Sequence, residues 1–202
     1  VARIRWLVVG AVASIVTAGA WAQKPYTTWR TYGGGGAASQ YSALDQINKS
    51  NVAKLEVAWS FPVGERSYVF NPIVVDRVMY VLARDNEIVA LDAATGKELW
   101  AHAHEDGVSA RGINYWQSRD GSDRRLVYLN SGFLTELNAK TGEPIASFGD
   151  NGRVDLRTAF ALDGHDITNV RPLGNSNPGR VFDNLMIVTL PAQGAGYAST
   201  PG

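Results

Sequence analysis

The stretch that decides the fold is ALDAATGKELW, residues 90–100. It begins at the end of an apolar run typical of a strand, and it ends in KELW, which has the character of a returning strand. Between the two runs, Asp92 can accept backbone N–H groups in a turn, and Gly96 can adopt the positive φ that a tight hairpin requires. The stretch therefore predicts a β-hairpin.

Trp100 ends this stretch and carries its largest side chain. We expect its ring to lie on the neighbouring repeat, with the small Ala90 leaving space for a close approach. Burying such a ring stabilises the fold by a few kcal/mol, at about 25 cal/mol per Å² of apolar area. The motif is interpreted as a fastener between successive repeats.

A second, less complete copy of the motif is ELNAKTGEPIASF, residues 136–148. Thr141 and Gly142 preserve the turn, but the Trp is missing, so this repeat is expected to seal by another contact, for which Phe148 is the candidate. Self-similarity over several tens of residues indicates a repeated supersecondary unit. The replaced positions are Asn138 for Asp92, Glu136 for Ala90 and Ala146 for Trp100.

Short β-type runs separated by turn residues continue from residue 71 onward, and the run at 185–188 should open a third copy. Before them, 43–55 predicts a short helical turn and EVAWSF, 56–61, predicts a strand. A repeat of roughly 45 to 60 residues fits a four-stranded blade with its loops. The chain is predicted to be all-β, with three to four blades of a β-propeller.

The N-terminus has a different composition. Arg3 and Arg5 precede an apolar run over 6–20, and AWA at 20–22 is a small-x-small pattern. The run is shorter than the roughly 20 apolar residues of a membrane-spanning helix. The sequence predicts an export signal at 1–22 and a propeller domain at 23–202, hence a periplasmic protein; the alternative is an N-terminal membrane anchor.

Composition excludes several functions. The formal net charge is +0, with 19 basic and 19 acidic side chains, and no long run of Lys or Arg marks a nucleic-acid partner. The 0 cysteines exclude Cys-based zinc sites, a thiol nucleophile and Cys-x-x-Cys-His haem attachment within these residues. The sequence has no Gly-x-Ser-x-Gly elbow, which leaves a hydrolase triad unsupported.

Two weaker motifs resemble a phosphate-binding loop and a metal site. Four glycines at 33–36 resemble a phosphate loop, but no Gly-Lys-Ser/Thr follows them, so they are interpreted as a flexible loop. His102 and His104, together with His165 or Glu105, offer metal ligands without a fourth ligand at a diagnostic spacing. Histidines near water at a strand exit are the simpler interpretation.

The Ala-x-Asp-x-x-Thr-Gly-x-x-x-Trp pattern resembles the tryptophan-docking repeat of the quinoprotein dehydrogenases, eight-bladed propellers that bind pyrroloquinoline quinone (PQQ). Other stretches are similar to this glucose and alcohol dehydrogenase family from Trp29 onward, which implies the N-terminal part of such a propeller. They are YSALDQINKSNVAKLEVAW (41–59) for the entry segment, ARGINYW (110–116) for the cofactor-side loop, and FGDNGRVDL (148–156) for the end of the next blade in the branch related to membrane glucose dehydrogenases.

This resemblance implies an oxidoreductase that transfers a hydride from a sugar or alcohol to PQQ, with Ca²⁺ as Lewis acid and a membrane quinone or cytochrome as electron acceptor. By resemblance Arg111 binds a PQQ carboxylate, a role that suits the rigid fork of a guanidinium. The alternative is a surface arginine paired with Glu105 or Asp106. Asn175 and Ser176 are further candidates for cofactor contact, since they lead into the third blade.

The residues that follow Arg111 are expected to have structural roles. Gly112 is expected to let the backbone approach closely, while Tyr115 and Trp116 are expected to pack between blades. The region before Arg111 lacks the adjacent cysteines of the methanol-oxidising branch, and Val69 or Phe70 stands where that branch has a Glu, which argues against a methanol-type pocket.

The catalytic base and further metal ligands belong to later blades of the family. Gln193 lies where relatives carry a calcium-binding carboxylate, and a loop role is expected for it. The rival function is a non-enzymatic propeller scaffold for protein–protein contact in the cell envelope, because scaffold propellers of the outer-membrane assembly machinery carry the docking repeat too. Binding of the quinone separates the two functions.

Overall fold

The computed structural model describes residues 27–35, 38–64, 69–103, 107–158 and 177–189. The predicted export signal at 1–22 lies outside these ranges, so export stays a prediction. Within the described ranges no helix is long and apolar enough to cross a membrane. Short 3₁₀ turns occur there at Tyr32–Gly34, Val52–Lys54 and Arg84–Asn86, and the second of these confirms the helical turn predicted within 43–55.

The first sheet contains four antiparallel strands in the order of the chain. Branched and aromatic residues fill them, and the tight β1–β2 turn places Asp76 at a φ of 55°, a value that Asp tolerates better than most residues. A bulge between Ala90 and Leu91 shifts the β3–β4 register just before the turn. The strands are β1 Ile73–Val75, β2 Val78–Ala83, β3 Glu87–Asp92 and β4 Glu98–His102.

The second sheet repeats this arrangement, and a two-stranded antiparallel hairpin follows it. The second sheet consists of β5 Asn114–Gln117, β6 Arg124–Asn130, β7 Phe133–Asn138 and β8 Arg153–Asp155, and the hairpin of β9 Arg180–Phe182 and β10 Leu185–Ile187. Two four-stranded blades and the start of a third confirm the predicted all-β, partial propeller fold.

The main hydrophobic core lies between the first and second sheets. Tyr128 of β6 is fully buried there, and the Tyr80 hydroxyl donates a hydrogen bond of 3.0 Å to the Ala139 carbonyl across the interface. The pKa of both tyrosines is raised, chiefly because burial penalises the charged form. The other buried members include Ile73, Val75, Ile88, Ala90, Ile113, Tyr115, Leu126 and Leu137.

The turn of the opening motif forms as predicted. One oxygen of the Asp92 carboxylate accepts hydrogen bonds from the N–H groups of Ala94 and Thr95, at 3.1 and 2.9 Å, and from the Thr95 hydroxyl at 2.9 Å. Gly96 has a φ of 71° and Gly142, in the second copy, a φ of 77°. The same turn therefore closes the third strand of both sheets.

The docking of Trp100 between repeats is also observed, but a different residue leaves the space. A Cβ placed on Gly142, in the Thr-Gly turn of the second sheet, would lie 2.6 Å from a carbon of the Trp100 ring. A Cβ placed on Gly96 would likewise lie 2.6 Å from a carbon of the Trp59 ring. Ala90, which was expected to leave this space, is the strand partner of Trp100 within its own sheet.

The predicted strand at 56–61 is not formed. No described strand pairs with this segment; its side chains Trp59 and Phe61 pack on the other face of the first sheet, against residues such as Val81 and Leu91. A β-run with suitable residues still needs a partner for its backbone groups. Propensity alone gave the wrong assignment here.

The return of the second hairpin also differs from its prediction. Pro144 makes a single bridge to Leu137, and the Ile145 N–H donates to the Glu136 carbonyl at 3.0 Å before the chain turns away. The Gly152 carbonyl then accepts the Glu136 N–H at 2.9 Å before β8 begins. Gly152 rather than Ala146 therefore takes the place of Trp100. Phe148, the proposed sealing residue, lies within the turn, where its carbonyl accepts the Gly152 N–H at 2.8 Å.

Candidate functional site

The candidate site lies where the loops preceding β1, β5 and β9 meet. The Asn71 N–H, just before β1, donates a hydrogen bond of 3.0 Å to the Arg111 carbonyl, just before β5. The Asn114 side-chain amide, at the start of β5, donates one of 2.7 Å to the Pro178 carbonyl, just before β9. Three successive sheets thus contribute one loop each to the same end of the molecule.

Arg111 is on the middle loop of the three and is exposed. Its side chain makes no hydrogen bond or ion pair with any residue that the structure describes. Glu105 and Asp106, the partners in the alternative interpretation, lie outside the described residues. A guanidinium on a loop whose backbone is held can bind a carboxylate with two parallel hydrogen bonds.

Gly112 has a packing reason to be glycine. A Cβ on this residue would lie 3.3 Å from the Tyr32 ring, 3.6 Å from the Asn71 carbonyl oxygen and 3.7 Å from Pro178. The expected close approach is therefore to neighbouring loops of the same chain. A side chain here would be tight against the Tyr32 ring and in ordinary contact with the other two loops.

The glycine-rich N-terminal segment belongs to this end of the molecule, which the sequence did not indicate. Tyr32 reaches Gly112, and the Arg180 guanidinium at the start of β9 donates a hydrogen bond of 2.9 Å to the Gly35 carbonyl. Gly34 is buried, and a Cβ there would meet the Trp29 ring at 2.8 Å. In its described part the segment is packed into the fold.

Tyr115 and Trp116 pack between sheets, as predicted. Tyr115 is buried in the core between the first and second sheets. The Trp116 indole N–H donates to the Asp183 carbonyl at 3.0 Å and to the Asn184 side chain at 3.1 Å, both in the β9–β10 turn. Both rings therefore make their contacts within the protein.

A cavity of about 220 Å³ lies between the second sheet and the β9–β10 hairpin. The Arg125 side chain forms part of the cavity lining. It pairs with Asp123 and, at 2.6 Å, with Glu136, and its guanidinium carbon lies 5.3 Å from the centre of the Trp116 ring. The carboxylates of Asp123 and then Glu136 raise the Arg125 pKa further. The charged groups of Arg125 and Glu136 in the lining of the cavity are therefore paired with each other.

A metal centre finds no support in the described residues, which include no group of three or more His, Asp or Glu side chains able to hold an ion. His102 is half-buried beside Gly142; burial lowers its pKa, while the Glu143 carboxylate and a backbone hydrogen bond of Gly142 act in the opposite direction. His104, Glu105, His165, Asn175, Ser176 and Gln193 lie outside the described residues.

Comparison with known proteins agrees with this architecture. Residues 29–202 match the family described as PQQ, glucose/ethanol/alcohol dehydrogenase, β-propeller domain. The quinoprotein glucose dehydrogenase of Gluconobacter oxydans is 29% identical over 162 residues, covering 66% of this chain and 20% of the relative. The dehydrogenase subunit of the alcohol dehydrogenase (quinone) of the same organism is 37% identical over 133 residues, covering 59% of this chain and 16% of the relative.

Solved structures give the same result. The quinohemoprotein alcohol dehydrogenase of Comamonas testosteroni superposes with a TM-score of 0.54 at 28% identity, over 65% of this chain and 20% of the other. A quinohemoprotein alcohol dehydrogenase of Pseudomonas putida HK5 gives a TM-score of 0.53 at 30% identity, over 66% and 20%. The chain spans about a fifth of the length of these relatives. On the match over residues 29–202, the chain belongs to the glucose/ethanol/alcohol dehydrogenase β-propeller family.

Proposed function

We propose that this chain contributes the first blades of a PQQ-dependent dehydrogenase that oxidises a sugar or an alcohol. Membership of the family and the activities for which the relatives are named, on glucose and on alcohols, support the proposal. The observation that carries it is the exposed Arg111 guanidinium, without a partner among the described residues, on a loop held by Asn71 and packed against Pro178.

Arg111 and Asn71 each have a defined role in the proposed reaction. When bound, PQQ supplies the quinone that accepts a hydride from the carbinol carbon. Arg111 binds a carboxylate of PQQ through its rigid fork of donors and so fixes the orientation of the cofactor. The hydrogen bond from Asn71 to the Arg111 carbonyl holds the backbone from which that side chain extends. The residues therefore work by preset geometry, which avoids a reorganisation cost during the reaction.

Asn175 and Ser176 are proposed as further contacts to the cofactor. They precede Pro178 in the sequence, and Pro178 packs against the loop of Arg111. Ca²⁺ is part of the proposal through the resemblance alone. Since the described residues offer no ligand set for an ion, no step is assigned to it.

The cellular context is proposed on sequence grounds. The signal-like residues 1–22 support export to the periplasm. A membrane quinone or a cytochrome is proposed as electron acceptor, supported by relatives named alcohol dehydrogenase (quinone) and quinohemoprotein alcohol dehydrogenase.

Titration of the protein, as encoded by its own gene, with PQQ in the presence of Ca²⁺ tests the proposal. Arg111→Ala should raise the Kd for PQQ about 10- to 100-fold, because hydrogen bonds to a charged group contribute about 1.5 to 3 kcal/mol. Arg111→Lys should fall between, since it keeps the charge and loses the fork.

Arg119 provides the matched control. It is exposed on a turn of the same sheet and, like Arg111, has no side-chain partner among the described residues. Arg119→Ala should leave the Kd unchanged. Absence of PQQ binding by the unsubstituted protein would favour the scaffold function instead, and equal effects of Arg111→Ala and Arg119→Ala would refute the role of Arg111.

A further inference from the structure

Asn114 is a polar residue at a position that calls for an apolar one. It opens β5 and pairs with Val127, as Ile73 opens β1 and pairs with Tyr80, so the two residues hold equivalent places in successive sheets. Ile73 is 0% exposed and Asn114 2%. Burying an amide is costly unless its hydrogen bonds are made. The amide must therefore have a compensating partner.

The partner belongs to the next sheet. The Asn114 side-chain N–H donates to the carbonyl of the buried Pro178 at 2.7 Å, and it lies 4.0 Å from the Met186 sulfur of β10. Pro178 stands at the entrance to β9, and Arg111 is three residues before Asn114. A single buried hydrogen bond thus joins the strand that carries the Arg111 loop to the loop that enters the third blade.

An apolar residue would not reproduce this connection. Isoleucine at the equivalent place in β1 stabilises its interface by burial, which is non-directional. The amide bond fixes both the distance and the orientation of the two loops, because hydrogen bonds weaken steeply when misaligned. Gly112 lies beside the same proline, since a Cβ built on it would be 3.7 Å from the Pro178 ring.

We propose that Asn114 is a positioning residue for the cofactor, one that holds the Arg111 loop against the loop entering β9 so that the guanidinium meets a PQQ carboxylate in a preset place. This inference rests on the proposed function. The Asn71 N–H secures the Arg111 loop from the side of the first sheet, and the bond of Asn114 to the Pro178 carbonyl secures it from the side of the third. Loss of Asn114 therefore frees one of the two sides of the loop.

Binding and stability measured on the same variants test the inference. Asn114→Leu keeps the branching of the side chain, removes the donor and should raise the Kd for PQQ about 5- to 10-fold. Tyr80→Phe is the matched control, because it deletes another buried side-chain bond to a backbone carbonyl of a neighbouring sheet, that of Ala139 at 3.0 Å. Both variants should lower the Tm, but Tyr80→Phe should change the Kd less than twofold.

Asn114→Asp provides a second variant that keeps the shape and replaces the donor by an acceptor. Hydrogen–deuterium exchange of the cofactor-free protein should then show faster exchange at the amides of 111–113 than Tyr80→Phe does. An unchanged Kd in Asn114→Leu, or equal losses of affinity in Asn114→Leu and Tyr80→Phe, would overturn the inference while leaving PQQ binding by the unsubstituted protein intact. If the unsubstituted protein does not bind PQQ, the proposed function fails and this inference fails with it.

Discussion

Two interfaces between neighbouring sheets use equivalent positions in opposite ways. Across the first sheet, the row facing the second sheet contains Ile73, Tyr80, Ala90 and Trp100, which pair in that order. Across the second sheet, the row contains Asn114, Val127 and Glu136, and Gly152 takes the place of the Trp. The first row is apolar and aromatic, whereas the second presents an amide and a carboxylate to the β9–β10 hairpin.

The contacts of the first interface mainly stabilise the fold, whereas those of the second mainly orient the groups that they join. Burial and the fit of Trp100 on Gly142 dominate the first interface, and such contacts are strong but non-directional; the Tyr80 hydroxyl adds one directed bond there, to the Ala139 carbonyl. The second interface relies on directed bonds, from the Asn114 amide to the Pro178 carbonyl and from the Trp116 indole to the Asp183 carbonyl. Directed bonds add less free energy but set the positions of the joined groups. The loop of Arg111 leads into the directed interface.

The largest effect is expected from Trp100→Ala. Truncating a large packed aromatic side chain in the apolar interface should lower the free energy of unfolding by about 3 kcal/mol. Trp116→Ala, in the polar interface, should cost about half as much, because that ring lies between an exposed turn and the Arg125 guanidinium. Urea unfolding of both variants makes the comparison. Equal losses would remove the distinction between the two interfaces.

A somewhat smaller effect is expected from Gly142→Ala, at about 2 kcal/mol. The added Cβ would lie 2.6 Å from the Trp100 ring, and the residue has a φ of 77°. Gly64→Ala separates the two causes, since Gly64 has a φ of 91° and no atom of the described residues lies within 4 Å of the added carbon. That control should cost about 1 kcal/mol, from backbone strain alone. If the two substitutions destabilise equally, Trp100 does not depend on close contact with Gly142.

The smallest effect is expected from Glu136→Ala, at about 1 kcal/mol. Arg125 keeps Asp123 as a partner, and the Glu136 side chain is 13% exposed. Adding Arg125→Met should restore part of the loss, because the poorly exposed guanidinium is then removed, while Asp123, which loses this partner, is 36% exposed. Glu98→Ala is the control. The Glu98 side chain is 40% exposed and that of its partner Arg84 is 44% exposed, so this substitution should lower the free energy of unfolding by less than about 0.5 kcal/mol. A greater loss in the double variant than in Glu136→Ala would contradict this account.

The sequence predicted those parts of the fold that are set by local chemistry. The Asp92 turn and the Thr-Gly hairpins follow from residues within one turn of each other, and both are confirmed. The strand at 56–61 and the placement of Ala146 were wrong, because each depended on a partner or a register that only the assembled sheets determine.

The candidate site shows the same limit. The motif ARGINYW indicated Arg111 through a resemblance, and the structure adds the loops that hold it. The bond from Asn114 to Pro178 joins residues 64 positions apart, and no spacing within the motif signals it. Tyr32 and Arg180 were missed for the same reason, since each reaches this end of the molecule from a distant part of the chain. The roles of Asn175 and Ser176 stay predictions.

A crystal structure of the protein with bound PQQ tests the central claim most directly. The account predicts a cofactor carboxylate within about 3 Å of the Arg111 guanidinium nitrogens, the usual range for a charge-assisted hydrogen bond. It also predicts that the Asn114–Pro178 hydrogen bond persists at 2.7 Å. PQQ bound at another place, with the Arg111 side chain directed into solvent, would contradict it.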